Sequence, residues 1–138
     1  MIVKPDYFRL KLKTNIIFYV KDQERSTGFY SHVLALQPTL QVPGMTEFTL
    51  NENCLLGLMP ESGIKRLLGA VLPDPARGSG IPRAELYLRL IDASQFHARA
   101  LEKGATELSG FEQRDWGDCV AYCLDPDGHV LAFADQPD

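Results

Sequence analysis

The chain of 138 residues predicts an α+β fold built from two tandem βαβββ modules. Three observations carry this prediction. Asn15–Asp22 (NIIFYVKD) lies over Glu85–Asp92 (ELYLRLID) with the same alternation and the same terminal Asp. Each of these runs opens the same series of signals: strand, helix, three strands. Near the C-terminus, Asp125-Pro126-Asp127-Gly128 separates two strand-forming runs. There Pro sets φ, Asp bonds its own backbone and Gly accepts positive φ, which is the chemistry of a β-hairpin turn. The repeat spacing of about 70 residues exceeds solenoid periods and argues for two pseudo-symmetric modules.

The elements follow in order. Lys13–Val20 is a strand by its β-branched and aromatic content. Asp22 is the N-cap of a helix carrying Phe29, Val33 and Leu36 at near-helical spacing, and Pro38 forbids its continuation. Strands at Thr39–Val42, Met45–Leu50 and Cys54–Met59 are separated by Pro43-Gly44 and Asn51-Glu52-Asn53 turns. Residues 60–83, rich in Pro and Gly, form a connector with a short helix near Ile64–Leu68. The order then repeats. A strand at Ala84–Ile91 precedes a helix through Phe96, Ala100 and Leu101 that closes on Gly104. A strand near Thr106–Phe111 follows, then Trp116-Gly117, and the hairpin Cys119–Leu124 and His129–Ala134. The division is one domain, residues 1–138, with modules at 10–59 and 84–135.

Composition bounds the function. Apolar residues make up 45 % of the chain, enough for a real core, and the formal net charge is −4. No Lys/Arg stripe is present to neutralise phosphates, so nucleic acid is not an expected partner. No apolar run approaches the roughly 18 residues of a membrane span. The start, MIVKPDYFRLKLK, lacks a signal peptide's apolar core, and a cytoplasmic protein is expected. Cys54, Cys119 and Cys123 lack zinc-ligand spacing. Cys119 and Cys123 share a strand face roughly 13 Å apart at strand rise, too far for a disulfide, so reduced cysteines are expected.

The Trp116-Gly117 pair followed by DPDGHVL, the run LKTNIIFYVKDQERSTGFYSHVLAL, the KGA at 103–105 and the tandem repeat together resemble the vicinal oxygen chelate superfamily. That superfamily comprises glyoxalases, ring-cleaving dioxygenases, fosfomycin-resistance enzymes and bleomycin-binding proteins. The resemblance implies that the sheets of the two modules curl around a shared cavity. The stretch RDWGDCVAYCLDPDGHVL is most similar to the metal-free, bleomycin-resistance branch, whose members sequester planar drugs in clefts between two subunits.

Alternation places Asn15, Ile17 and Tyr19 on one face of the first strand and Glu85, Tyr87 and Arg89 on one face of its repeat. An ordinary half-exposed sheet leaves such a face solvated; the resemblance implies that it lines the cavity. Leu55, Gly57 and Met59 join it by alternation, with Tyr122, Ala132 and Trp116. An aromatic wall with few polar groups is the make-up of a small-molecule site, and equally of plain core.

The resemblance also implies four matched places for metal ligands, which relatives fill with His, Glu or Gln. Here they read Asn15, Gly57, Glu85 and Ala132, and only Glu85 is a strong donor. His32, His97 and His129 are expected to be exposed rather than ligating. No metal and no other cofactor is therefore expected, and no catalytic residue is assigned. The favoured function is binding of a small, largely planar organic molecule, with antibiotic sequestration as one form of it. The ligand-binding candidates are Asn15, Tyr19, Glu85, Tyr87, Arg89, Trp116 and Tyr122. The alternatives are a glyoxalase-type lyase or isomerase with atypical metal ligands, or one using Glu85 as a base made less acidic by apolar surroundings, and an interaction module with a filled core. A homodimer is expected, because curled sheets expose edges and a concave face.

Overall fold

The computed structural model describes residues 12–136. Most of the N-terminal run used above to argue against a signal peptide, and residues 10 and 11 of the first module, lie outside the described residues.

Module one comprises β1 (Thr14–Val20), α1 (Gln23–Leu34), β2 (Leu40–Val42), β3 (Met45–Asn51) and β4 (Cys54–Pro60). Module two comprises β5 (Glu85–Leu90), α3 (Ala93–Glu102), β6 (Thr106–Gln113), β7 (Cys119–Leu124) and β8 (Val130–Asp135). Each forms a four-stranded mixed sheet, β1-β4-β3-β2 and β5-β8-β7-β6, in which the first strand runs parallel to the last. The connector holds α2 (Glu61–Leu68) and two short 3-10 turns at Gly69–Val71 and Pro75–Gly78. Its helix begins three residues earlier than Ile64, with Glu61 in its first turn.

The Asp22 side chain accepts the Arg25 N–H, so the predicted cap is made. The helix stops at Leu34, before Leu36 and before Pro38, because Ala35 turns left-handed at φ 53°. Its N–H and that of Leu36 return to the carbonyls of His32 and Ser31. Leu36 consequently leaves the helix and is 39 % exposed.

One core serves both modules. Phe18, Val20, Tyr30, Val33, Leu56 and Leu58 from module one join Leu86, Cys123, Leu131 and Phe133 from module two. The two helices pack side by side, and Arg99 of α3 donates twice to the Val33 carbonyl of α1, at 3.2 and 3.0 Å.

The DPDG turn fastens this packing. Buried Asp125 accepts the Tyr30 phenol at 2.5 Å and the Asp127 and His129 N–H groups at 2.9 Å each. Asp127 accepts the Lys21 N–H at 2.7 Å and the Ser26 hydroxyl at 3.0 Å. His129 stacks on Phe18 and bonds the Tyr19 carbonyl at 2.9 Å. β1 is an edge strand of its sheet, and turn side chains thereby satisfy one of its backbone groups, the Tyr19 carbonyl, and the Lys21 N–H just past its end. Gly128 is required twice over. Its φ is +87°, and a Cβ there would lie 2.8 Å from the Gly80 Cα of the connector.

The histidines correct the sequence expectation in part. His97 is buried against Phe111 and Phe133 and bonds Glu107 at 2.8 Å. It lies on the core side of α3, a phase that the three apolar positions of that helix left open.

Candidate functional site

On module two, alternation and register assemble a wall. Tyr87 of β5 lies opposite Ala132 of β8, and Ala132 lies opposite Tyr122 of β7. Strands about 4.8 Å apart set the two tyrosines on either side of a small residue. They close over Ala132, Ala134 and Val120, which are fully or almost fully buried. The Arg89 guanidinium lies 5.2 Å from the centre of the Tyr87 ring, and that of Arg114 lies 5.1 Å from Tyr122.

A relay of hydrogen bonds fixes this wall. Trp116 donates its indole N–H to the Tyr87 oxygen at 3.0 Å. The Tyr87 phenol donates to Asp118, which also accepts from Arg89 at 2.7 Å. The phenol's hydrogen bond, more than the Arg89 charge, holds the Asp118 carboxyl below the usual aspartate value, against some desolvation. Desolvation, together with the bond to Asp118, raises the Tyr87 phenol. Desolvation likewise raises Tyr122, helped by the nearby Glu85 charge. Trp116 itself is 58 % exposed, so its edge is anchored while much of its surface faces solvent. Asp118 is not among the candidates that strand alternation within β7 names. It sits two residues before Val120 and four before Tyr122, and strand alternation extended backwards would have found it.

Arg114 braces the loop between β6 and β7. It donates to the Val120 carbonyl at 2.9 Å and the Ser109 hydroxyl at 2.7 Å, and pairs with Glu112 at 3.0 Å.

Tyr19 is placed elsewhere. With Ile17 it lines a cavity of about 340 Å³ at the junction of the modules, closed by Glu61, the connector from Pro75 to Arg83, and the turn residues Asp127 and His129. None of Glu85, Tyr87, Arg89, Trp116 and Tyr122 lines it. The sequence grouping of Tyr19 with Tyr87 is therefore corrected: the residues occupy matching faces of different sheets. Asn15 is exposed. Glu85 is exposed as well, not enclosed by apolar groups as its use as a buried base requires.

The four matched ligand places do not fit a divalent metal. Gly57 lies opposite Ile17 in the sheet, and Ile17 Cδ1 is 2.6 Å from where a Cβ at Gly57 would stand. Ala132 offers no donor and lies beneath the tyrosines. Asn15 and Glu85 remain, one neutral amide and one carboxylate. Among the described residues, no three His, Cys, Asp or Glu side chains gather into a cluster that could hold a metal. No helix among them is long and apolar enough to cross a membrane.

The family model of the Glyoxalase/Bleomycin resistance protein/Dioxygenase superfamily matches residues 14–133. No curated protein matches the chain. Among solved structures, a glyoxalase-related enzyme from Fulvimarina pelagi superposes with a TM-score of 0.76 at 19 % identity, covering 92 % of this chain and 89 % of that one. A glyoxalase/bleomycin resistance protein/dioxygenase family enzyme from Burkholderia phytofirmans PsJN gives 0.73 at 14 %, covering 88 % and 95 %. A glyoxalase/bleomycin resistance protein from Catenulispora acidiphila DSM 44928 gives 0.65 at 23 %, covering 92 % and 100 %. At these identities the likeness is one of fold. The two modules, their strand order and the family match over nearly the whole chain agree: this protein belongs to the glyoxalase/bleomycin resistance protein/dioxygenase superfamily.

Proposed function

We propose that the protein binds a small, largely planar organic molecule on the module-two wall, without metal or redox chemistry, in the manner of the superfamily's drug-sequestering branch. The observation that carries this reading is Trp116, exposed yet held through its indole N–H by the Tyr87–Asp118–Arg89 relay. An aromatic surface fixed before binding loses little conformational entropy when a ring stacks on it, and stacking is worth about 0.5–1.5 kcal/mol beyond burial. Tyr87 and Tyr122 extend the surface, and Arg89 and Arg114 supply positive edges. Aromatic antibiotics belong to this ligand class. The donor-poor set Asn15, Gly57, Glu85 and Ala132 weighs against metal-dependent lyase chemistry, and the exposure of Glu85 weighs against its use as a buried base.

The proposal includes a homodimer. β2 and β6 form the outer edges of the two sheets and expose Leu40, Val42 and Leu108, which a second copy would cover.

Trp116 is the only tryptophan and reports on the site directly. Titration with a panel of aromatic antibiotics and metabolites should change its fluorescence saturably, and Trp116→Phe should remove that signal. Tyr87→Ala should weaken binding by about tenfold, or about 1.4 kcal/mol. Saturable binding of a panel antibiotic by calorimetry with Trp116 emission unchanged would move the site off this wall and refute the proposal.

A further inference from the structure

We propose a second, separate binding site in the junction cavity, for a small zwitterion with an apolar body: the chemistry of a hydrophobic α-amino acid. The proposal does not rest on the reading of the module-two wall, with which this cavity shares no residue named above.

The connector is docked rather than slack. The Gly80 N–H donates to the Asp127 carbonyl at 3.2 Å, and the Gly80 backbone packs against Gly128 at a distance that excludes any side chain there. The cavity of about 340 Å³ lies beneath it, near the lower end of small-ligand sites and large enough for one amino acid. Ile17, Phe18 and Ile81 supply apolar lining.

The charged groups on the wall divide into two kinds. Asp127 is committed, with one oxygen on the Lys21 N–H and the other on the Ser26 hydroxyl. His129 is committed to the Tyr19 carbonyl and to stacking on Phe18. Glu61 and Arg83 are different. Both line the cavity, yet among the described residues neither side chain forms an ion pair, with the other or with any third group. Arg83 is nonetheless placed, because its guanidinium lies over Gly78, where a Cβ would come within 2.6 Å of Nη2. An acid and a base on one wall, apart from each other, match an ammonium and a carboxylate on one ligand. Desolvation, then the charges of Asp127 and Asp74, push the Glu61 carboxyl up, with His129 and Lys21 opposing. A bound ammonium would relieve this.

The test is saturation-transfer NMR and calorimetry on the intact chain with L-leucine and L-phenylalanine as probes. N-acetyl-L-phenylalanine and L-phenylalaninamide serve as probes lacking one charge each. The zwitterions should bind saturably and each derivative at least about tenfold more weakly. Arg83→Gln should abolish discrimination against the amide, and Glu61→Gln discrimination against the N-acetyl form. Trp116→Phe should leave amino-acid affinity unchanged. Thermal melts confirm that each variant is folded. Equal binding of zwitterion and derivatives, no saturation by any probe with folded protein, or loss of binding in Trp116→Phe would each overturn the proposal; the last would place the ligand on the module-two wall.

Discussion

Tyr87→Phe isolates the relay that holds Trp116. The change removes one oxygen that accepts from Trp116 and donates to Asp118, while the ring that covers Ala132 remains. Asp118 keeps Arg89 at 2.7 Å, and at 19 % exposure its side chain stays within reach of water. The loss in global stability should therefore be about 1–2 kcal/mol, the net worth of two hydrogen bonds whose remaining partners still reach water. The indole loses its only hydrogen bond among the described residues. A ligand must then order it, at about 0.5–1.5 kcal/mol, which weakens affinity about two- to twelvefold. Time-resolved fluorescence anisotropy and acrylamide quenching of the sole tryptophan measure the loosening, and urea unfolding measures the stability. The relay also predicts a pH signature. The folded pKa of Asp118 lies below its unfolded value, so its contribution is present above the unfolded value and is lost as pH falls through the lowered folded one. Trp116 emission should therefore show an acid transition below the ordinary aspartate value of 3.8 in the native protein. In Tyr87→Phe the transition should move upward, because the largest cause of the lowering has been removed. Unchanged anisotropy decay and an unchanged acid transition in the variant would refute the relay.

Gly128→Ala should destabilise by about 2–4 kcal/mol in urea, adding left-handed backbone strain to a clash with the Gly80 backbone; an effect under 1 kcal/mol would show that the connector does not dock there. Ala35→Gly should instead stabilise by about 0.5–1 kcal/mol, because the helix C-cap sits at φ 53° and ψ 42°. A lower melting temperature would contradict that cap. Burial pushes the Cys123 thiol up to about 12, so iodoacetamide at pH 8 should leave it unmodified until the protein is denatured, as read by peptide mass spectrometry. Sedimentation at micromolar concentration should give a species near twice the 15.4 kDa chain mass, and a monomer would remove the dimer.

Local chemistry alone determined a large part of this protein. The turn residues of Asp125–Gly128, the Asp22 cap and the strand alternation are short-range properties, so the order of strands and helices and the two modules could be read without coordinates. Alternation also put Tyr87, Tyr122 and Ala132 on faces that the register then brought into one row. It could say which side of a strand a residue occupies, but not which sheet the opposite wall belongs to. That is why Tyr19 was grouped with Tyr87, although it lines the junction cavity. The phase of His97 on its helix, the solvent exposure of Glu85 and the filling of the space above Gly57 by Ile17 depend on neighbours distant in sequence. The same holds for the connector. Its prolines and glycines mark it as irregular, but the packing of Gly80 on Gly128 brings the connector, with Arg83, to the cavity that Glu61 reaches from the end of β4. Contacts between segments that share no local pattern are set by the fit of whole surfaces, and no short-range signal in the chain encodes them.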